Sequence, residues 1–152
     1  MKAVVQRVEQ AAVRVVGVPA PVGEVGPGML VLLGVAKGDT DVEARRMAER
    51  LRGLRIFTGD DGRMSEPVGP DRGILVVSNF TLCADTRKGT RPSFAGAAPP
   101  DEAKRLYELV AAELRGASEV GDVATGEFGG DMRIELVADG PVTIELEVAP
   151  KS

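Results

Sequence analysis

The chain has no histidine, and its only cysteine is Cys83. Without an imidazole there can be no Ser-His or Cys-His nucleophile pair, no His-ligated metal and none of the usual general base near neutral pH. Proton transfer must then run through a carboxylate, a lysine, water or the substrate itself. A metal site would need carboxylates alone, and neither a metal nor a cofactor is expected. A lone cysteine closes no internal disulfide, which agrees with a reducing, cytoplasmic setting. No apolar run approaches the roughly 20 residues of a membrane span, and the first residues show no secretory pattern. Asn79-Phe80-Thr81, formally a glycosylation acceptor, is discounted for that reason. An excess of cations is missing as well. Lys and Arg number 19 against 23 Asp and Glu, a net charge of -4, which argues against nucleic acid bound along a broad basic face and against a DNA partner. A small local basic patch remains open.

What is present is enough for one core. With 152 residues, 43% of them hydrophobic, the chain is read as a single domain spanning 1–152. The stretch around which it is organised runs from Gly73 to Phe94. Ile74 to Val77 is a continuous apolar and β-branched run, the mark of a strand buried on both faces. Ser78, Asn79, Phe80 and Thr81 follow directly, so small polar groups leave from the end of a rigid element. A loop from Asp85 to Arg91 then carries Arg87, Lys88 and Arg91.

In chain order, Lys2 to Val8 and Ala11 to Val16 read as paired strands about a tight turn near Gln10. Pro19 and Pro21 mark a loop, and Met29 to Val35 is a second interior strand. Thr40-Asp41-Val42-Glu43 has capping-box spacing. The helix after it places Ala44, Met47, Ala48, Leu51 and Leu54 on one face. Its arginines alternate with glutamates and are read as a solvated face rather than a nucleic-acid patch. Arg55 to Thr58 is a short strand closed by Asp60-Asp61-Gly62. Pro99-Pro100-Asp101-Glu102 opens a second amphipathic helix with Ala103, Leu106, Tyr107, Val110 and Leu114 as its buried stripe. Val120 to Thr125 and Met132 to Val137 read as strands, and Asp139-Gly140-Pro141 turns the chain into the alternating Val142 to Val148. Two helices among seven or eight strands, joined mostly without helices, give an α+β fold with a largely antiparallel sheet or barrel.

Ser78-Asn79-Phe80-Thr81-Leu82, then Ala84-Asp85-Thr86, Arg91-Pro92-Ser93-Phe94 and Asp139-Gly140-Pro141-Val142-Thr143 closely resemble the D-aminoacyl-tRNA deacylase family. The resemblance spans the chain from Gln6-Arg7-Val8 through Thr125-Gly126 to Met132. The family carries a Ser-Gln-Phe-Thr motif and an Asn-x-Gly-Pro motif; here Asn79 replaces the glutamine and Ala138 the asparagine. The resemblance implies a homodimeric hydrolase that cleaves the ester joining a D-amino acid or glycine to the terminal ribose of tRNA. It implies a cis Gly140-Pro141 bond reaching into the partner subunit's pocket to exclude L-side chains, and catalysis by the ribose 2′-hydroxyl. The absent histidine fits that chemistry.

Each residue carries a plainer reading beside the implied one. Thr81 has Asp85, Arg87 and Lys88 as its nearby ionisable groups and no evident base, so it is read as positioning substrate rather than attacking it. Phe80 is read as a core or pocket-wall ring, with its N–H and that of Thr81 as oxyanion donors. Ser78 caps a strand end or serves the same site, and Cys83 is an apolar filler. Asp-Gly between alternating strands is an ordinary hairpin signal, whereas the resemblance makes Gly140 and Pro141 a substrate-facing wall. Arg7 lies on an edge strand or, by family analogy, holds the Gly-Pro carbonyls. Phe128 and Met132 belong to the core or lie near the terminal adenine. Arg87, Lys88 and Arg91 are a solvated surface or a contact to the aminoacyl-tRNA 3′ end. A binding module of the same fold without turnover is the alternative to the enzyme.

Overall fold

One strand forms the spine of the sheet. β1 (Lys2–Val15) runs 14 residues without a break, where the sequence predicts two strands about a turn near Gln10. The reason is its partner, β8 (Met132–Glu147), which pairs antiparallel with it from Lys2↔Glu147 to Val15↔Met132. Glu9 and Gln10 lie at a register shift between Val8 and Gln10, a bulge that absorbs the polar pair without turning the chain. Along its other edge β1 pairs with β3 (Gly28–Gly34) over Lys2 to Val8 and with β2 (Gly23–Val25) over Ala11 to Val13. The computed structural model describes residues 1–151; Ser152, the last residue of the expected domain, lies outside the described residues.

The two continuous apolar runs became the parallel part of the sheet. β3 pairs parallel with β6 (Gly73–Ser78), and β6 with β7 (Val123–Thr125). Parallel neighbours need a crossover, and each crossover contains a helix. α1 (Asp41–Gly53) lies between β3 and β6, and α2 (Pro100–Arg115) between β6 and β7. The other pairings are antiparallel, including the small hairpin of β4 (Phe57–Thr58) and β5 (Met64–Glu66). The result is the α+β fold with a largely antiparallel sheet, with helices at the two parallel joints. The sheet curls until it is nearly closed as a barrel. A Cβ on Gly23 of β2 would lie 2.4 Å from the Thr125 carbonyl oxygen of β7, and one on Gly126 would lie 2.8 Å from Met132 Sδ at the start of β8.

Alternation along the strands sends side chains into two cores. Met29, Val31, Leu33, Ile74 and Val76 face both helices, meeting Met47, Leu51, Leu106 and Val110. Leu30, Leu75 and Val77 point the other way, into the curl, where they meet Val8, Val13 and Val25. The capping box of α1 forms as read: Val42 N–H donates to Thr40 Oγ1 at 3.2 Å and Thr40 N–H to a Glu43 carboxylate oxygen at 2.8 Å. Three of the four arginines of α1 bind back onto the protein, Arg45 to Glu113, Arg52 to Glu119 and Arg50 to the Glu147 carbonyl. One buried ion pair had no sequence signal. The Met1 α-ammonium lies 2.7 Å from Asp39 Oδ2 and donates to the Val148 carbonyl at 2.8 Å.

β3 and β6 begin on a pair of facing glycines, Gly28↔Gly73. A Cβ on Gly28 would lie 1.8 Å from the Gly73 carbonyl oxygen, whereas one on Gly62, at φ +76, meets nothing within 4 Å. Gly28→Ala is therefore expected to cost about 3 kcal/mol or more through backbone overlap. Gly62→Ala should cost about 1 kcal/mol through its positive φ alone. Urea denaturation of the two variants checks this, and equal midpoints would contradict it.

Candidate active site

Because β3, β6 and β7 run parallel, their C-terminal ends open on one edge of the sheet, the usual place for ligands in such arrangements. Ser78 ends β6 opposite Leu33, and the Asn79 N–H donates to the Leu33 carbonyl at 2.8 Å. The chain then tightens into a single 3₁₀ turn, Phe80–Cys83. Its first internal bond runs from Leu82 N–H to the Asn79 carbonyl at 3.3 Å. The N–H groups of Phe80 and Thr81 precede that bond and have no protein acceptor among the described residues.

Phe80 is not a core residue: it is 57% exposed and packs edge-on against Phe94, with ring centroids 5.2 Å apart. Its carbonyl-side neighbours explain why. The 3₁₀ turn buries Cys83 and leaves Phe80 and Thr81 outward. Thr81 Oγ1 donates a short hydrogen bond to Asn79 Oδ1, and an amide oxygen is no base at neutral pH. Asp85 is occupied as well. Arg87 donates to it from Nε and Nη2 at 2.9 and 2.6 Å, and those hydrogen bonds hold the Asp85 carboxyl down at about 2. Burial pushes the Cys83 thiol up, consistent with a filler.

The segment after β7 reaches the same edge. Gly126 N–H donates to the Val76 carbonyl at 3.2 Å, which brings Gly126 to Met132 beside the end of β6. Phe128 is half-buried, its ring 5.8 Å from that of Tyr107. The two rings line a cleft of about 570 Å³ together with Lys104, Arg115 and Thr125. Met132 packs on the Val13, Leu75 and Val77 cluster. Tyr107 was expected only as a core residue, yet its hydroxyl donates to the Val76 carbonyl at 2.8 Å, and burial pushes its phenol up to about 12.

Gly140 and Pro141 do not make a hairpin. Both halves of β8 pair with β1 in one direction, and between them β1 advances from Gln6 to Val8 while β8 advances from Ala138 to Thr143. The surplus leaves the sheet as an exposed excursion containing a cis Gly140-Pro141 bond. Arg7 clamps its base. Nε donates to the Asp139 carbonyl at 3.1 Å and lies 3.2 Å from Asp139 Oδ2, while Nη1 donates to the Ile56 carbonyl at 2.8 Å. The carbonyl held is thus that of Asp139, not those of Gly140 and Pro141. Ala138 is the last residue in register, opposite Val8, so Asp139 is the first carbonyl that the guanidinium meets.

The nine residues therefore fall into two groups. Ser78, Asn79, Phe80 and Thr81 stand at the C-terminal end of β6, and Phe128 and Met132 follow β7, Phe128 against Tyr107 and Met132 in the cluster of Val13 and Val77. Arg7, Gly140 and Pro141 do not join them. Ser78 neighbours Leu33, which pairs with Ala3; Arg7 lies four residues farther along β1, about 13 Å at roughly 3.3 Å per residue. Pro141 lies beyond it again, on the opposite edge of β1.

The model of the family described as D-Tyr-tRNA(Tyr) deacylase matches residues 4–147. The chain belongs to that family. It is 50% identical over 158 residues to a D-aminoacyl-tRNA deacylase of Ralstonia nicotianae, covering 100% of this chain and 93% of the relative. It is 51% identical over 154 residues to that of Geobacter sulfurreducens, covering 100% and 98%. Among solved structures, one titled c-Myc DNA Unwinding Element Binding Protein is 37% identical with a TM-score of 0.86, covering 99% of this chain and all of that one. A second, of a probable eukaryotic D-amino acid tRNA deacylase, has a TM-score of 0.78 at 19% identity, covers 97% and 98%, and shares the fold. As a family member the chain is an enzyme, a carboxylic ester hydrolase of the D-aminoacyl-tRNA deacylase class. No helix among the described residues is long and apolar enough to cross a membrane.

Asp139 and the Ile56 carbonyl are the site-supporting groups that sequence reasoning missed. Asp139 could have been found from its place beside Gly140-Pro141; Ile56, 49 residues from Arg7 in sequence, could not. Arg7→Lys keeps the charge but loses the fork that reaches both carbonyls. It is expected to lower stability by about 1–3 kcal/mol, the range for losing charge-assisted bonds. A urea titration beside the parent measures this, and an unchanged midpoint would show that the clamp contributes nothing.

Proposed function

We infer that the chain hydrolyses the ester between a D-amino acid and the 3′-terminal ribose of tRNA in the cytoplasm, and clears glycine from mischarged tRNA-Ala by the same chemistry. The observation that carries the mechanism is the pair of N–H groups at Phe80 and Thr81 without a protein acceptor among the described residues, beside a threonine that has no base. Two backbone donors on a rigid strand end suit the oxyanion that forms when an ester carbonyl is attacked. The nucleophile is water positioned by the ribose 2′-hydroxyl, and the ribose 3′-oxygen leaves. Ser78 and Asn79 set the turn, with the Asn79 amide fixing the Thr81 hydroxyl. Phe128 and Met132 receive the terminal adenine.

Selection against L-amino acids falls to Gly140 and Pro141. A glycine lets backbone come close to a substrate and a proline fixes the local geometry, so the excursion serves as a wall rather than a fitted pocket. A wall that blocks the L-position accepts D-residues of different chemistry and glycine. In one chain the wall is remote from Thr81, so we assign it to the site of the partner in a homodimer. The surface of β8 supports that reading. Its outer edge pairs with no other strand among the described residues, and Leu136, Val137 and Ala138 are exposed beside Gly140 and Pro141. A long bare edge of this kind is ordinarily covered, and an isologous contact would bury two equivalent patches at once.

The second reading is nucleic-acid binding without turnover, favoured by the likeness to a structure titled for DNA-element binding. Incubation with D-tyrosyl-, glycyl- and L-tyrosyl-tRNA separates the two. Loss of the D-amino acid and of glycine with the L-form spared is expected; no loss of the D-form with enzyme in excess would leave only binding. Thr81→Ala should retain activity within a few-fold, since a hydroxyl with no base contributes about one hydrogen bond, on the order of 1 kcal/mol. A trapped acyl-threonine would overturn the mechanism.

A further inference from the structure

The loop after the Thr81 turn remains without a role in the chemistry above, although it is the most one-sided charged surface near the site. From Thr86 to Pro100 the chain has no carboxylate, in a protein whose acidic residues outnumber its basic ones. Arg87, Lys88 and Arg91 all fall inside that stretch and all are exposed. Several arginines elsewhere are neutralised, Arg45 by Glu113, Arg105 by Asp41 and Glu102, and Arg133 by Asp131. In the loop only Arg87 is, by Asp85. Lys88 and Arg91 make no ion pair or side-chain hydrogen bond among the described residues.

The loop is also held in place. Asp85 and Ser93 exchange two backbone hydrogen bonds, 2.7 and 3.0 Å long. The returning chain is fastened to the end of β3 by Lys37 N–H to the Gly96 carbonyl and Ala98 N–H to the Val35 carbonyl, at 2.9 and 3.0 Å. Phe94 then contacts Phe80 itself. Two unpaired cations are thereby displayed on a pinned loop joined to the residue whose N–H faces the reacting ester.

We propose that Lys88 and Arg91 bind phosphates of the single-stranded RNA immediately upstream of the aminoacylated adenosine, and so set the register in which the ester reaches the Thr81 turn. The proposal rests on the deacylase reading for the identity of the RNA. Its chemistry is simpler: a polyanion held by two fixed cations, with Arg87 kept rigid by Asp85 as their support. Contacts of this kind position a strand without reading its sequence. They also give a salt signature, because each single-strand phosphate neutralised contributes about -0.7 to the slope of log K against log salt.

The test is binding of uncharged tRNA across a salt series by the parent, by Lys88→Ala/Arg91→Ala, and by Arg45→Ala/Arg63→Ala. The third protein loses the same charge from α1 and the β4–β5 turn. The loop variant is expected to bind about tenfold more weakly at moderate salt, with a slope shallower by about 1.4, two phosphates' worth. The control should stay near the parent. Parental affinity and slope in the loop variant would overturn the proposal. So would an equal loss in both variants, which would mean that overall charge and not the loop is felt. If the parent bound tRNA through the loop but never cleaved D-tyrosyl-tRNA, the deacylase reading would fail while this inference stood.

Discussion

The structure depends on one pairing that does not count evenly. β1 and β8 run side by side along their whole lengths, yet β8 carries a surplus of residues between Ala138 and Thr143. Ladder hydrogen bonds on either side hold the register, so the surplus has to leave the sheet. Arg7 makes that departure definite. Placed opposite the gap, it ties the Asp139 carbonyl and carboxylate on one side to the Ile56 carbonyl on the other. A side chain only 13% exposed thus turns an irregularity of register into a fixed projection, and the exposed Gly140-Pro141 step is what it projects.

The other half of the site owes its form to the opposite kind of regularity. β3, β6 and β7 are parallel, buried and joined by helices, so their C-terminal ends coincide and the chain leaves β6 already oriented. The 3₁₀ turn that follows has free N–H groups at its start as a matter of geometry, not of any particular side chain. That suits a protein without histidine. Donors that belong to the backbone need no protonation state, and an ester needs little more than stabilisation of the developing oxyanion and a placed hydroxyl.

Much of this was legible in the sequence, for identifiable reasons. Ile74 to Val77 and Met29 to Val35 were found as interior strands because a strand covered on both faces has no polar alternation. Thr40 to Glu43 was found because a capping box has fixed spacing. The turns near Gln10 and at Asp139-Gly140 were misplaced for one shared reason. Polar or turn-forming residues inside a strand look like its end unless the partner strand is known, and here each strand carried the other through. The exposure of Phe80 was hidden because an aromatic after an apolar run reads as core. The Met1–Asp39 pair and the Arg7–Ile56 contact join positions with no periodicity between them. The resemblance already implies that the two motifs do not meet within one chain, and the register of β1 against β3 and β8 sets them apart.

That separation is the centre of the account, because in the proposed homodimer it makes a complete site the property of two chains. The most direct measurement is subunit complementation. One variant, Phe80→Pro, removes an N–H donor and displaces the turn; the other, Pro141→Trp, puts a bulky ring on the exposed projection. Each alone should be inactive on D-tyrosyl-tRNA. Unfolded and refolded together, they should regain about a quarter of the parent's activity, since half the dimers are mixed and each mixed dimer holds one intact site in two. If the mixture stays as inactive as its components although mixed dimers have formed, the site lies within a single chain and the account is wrong.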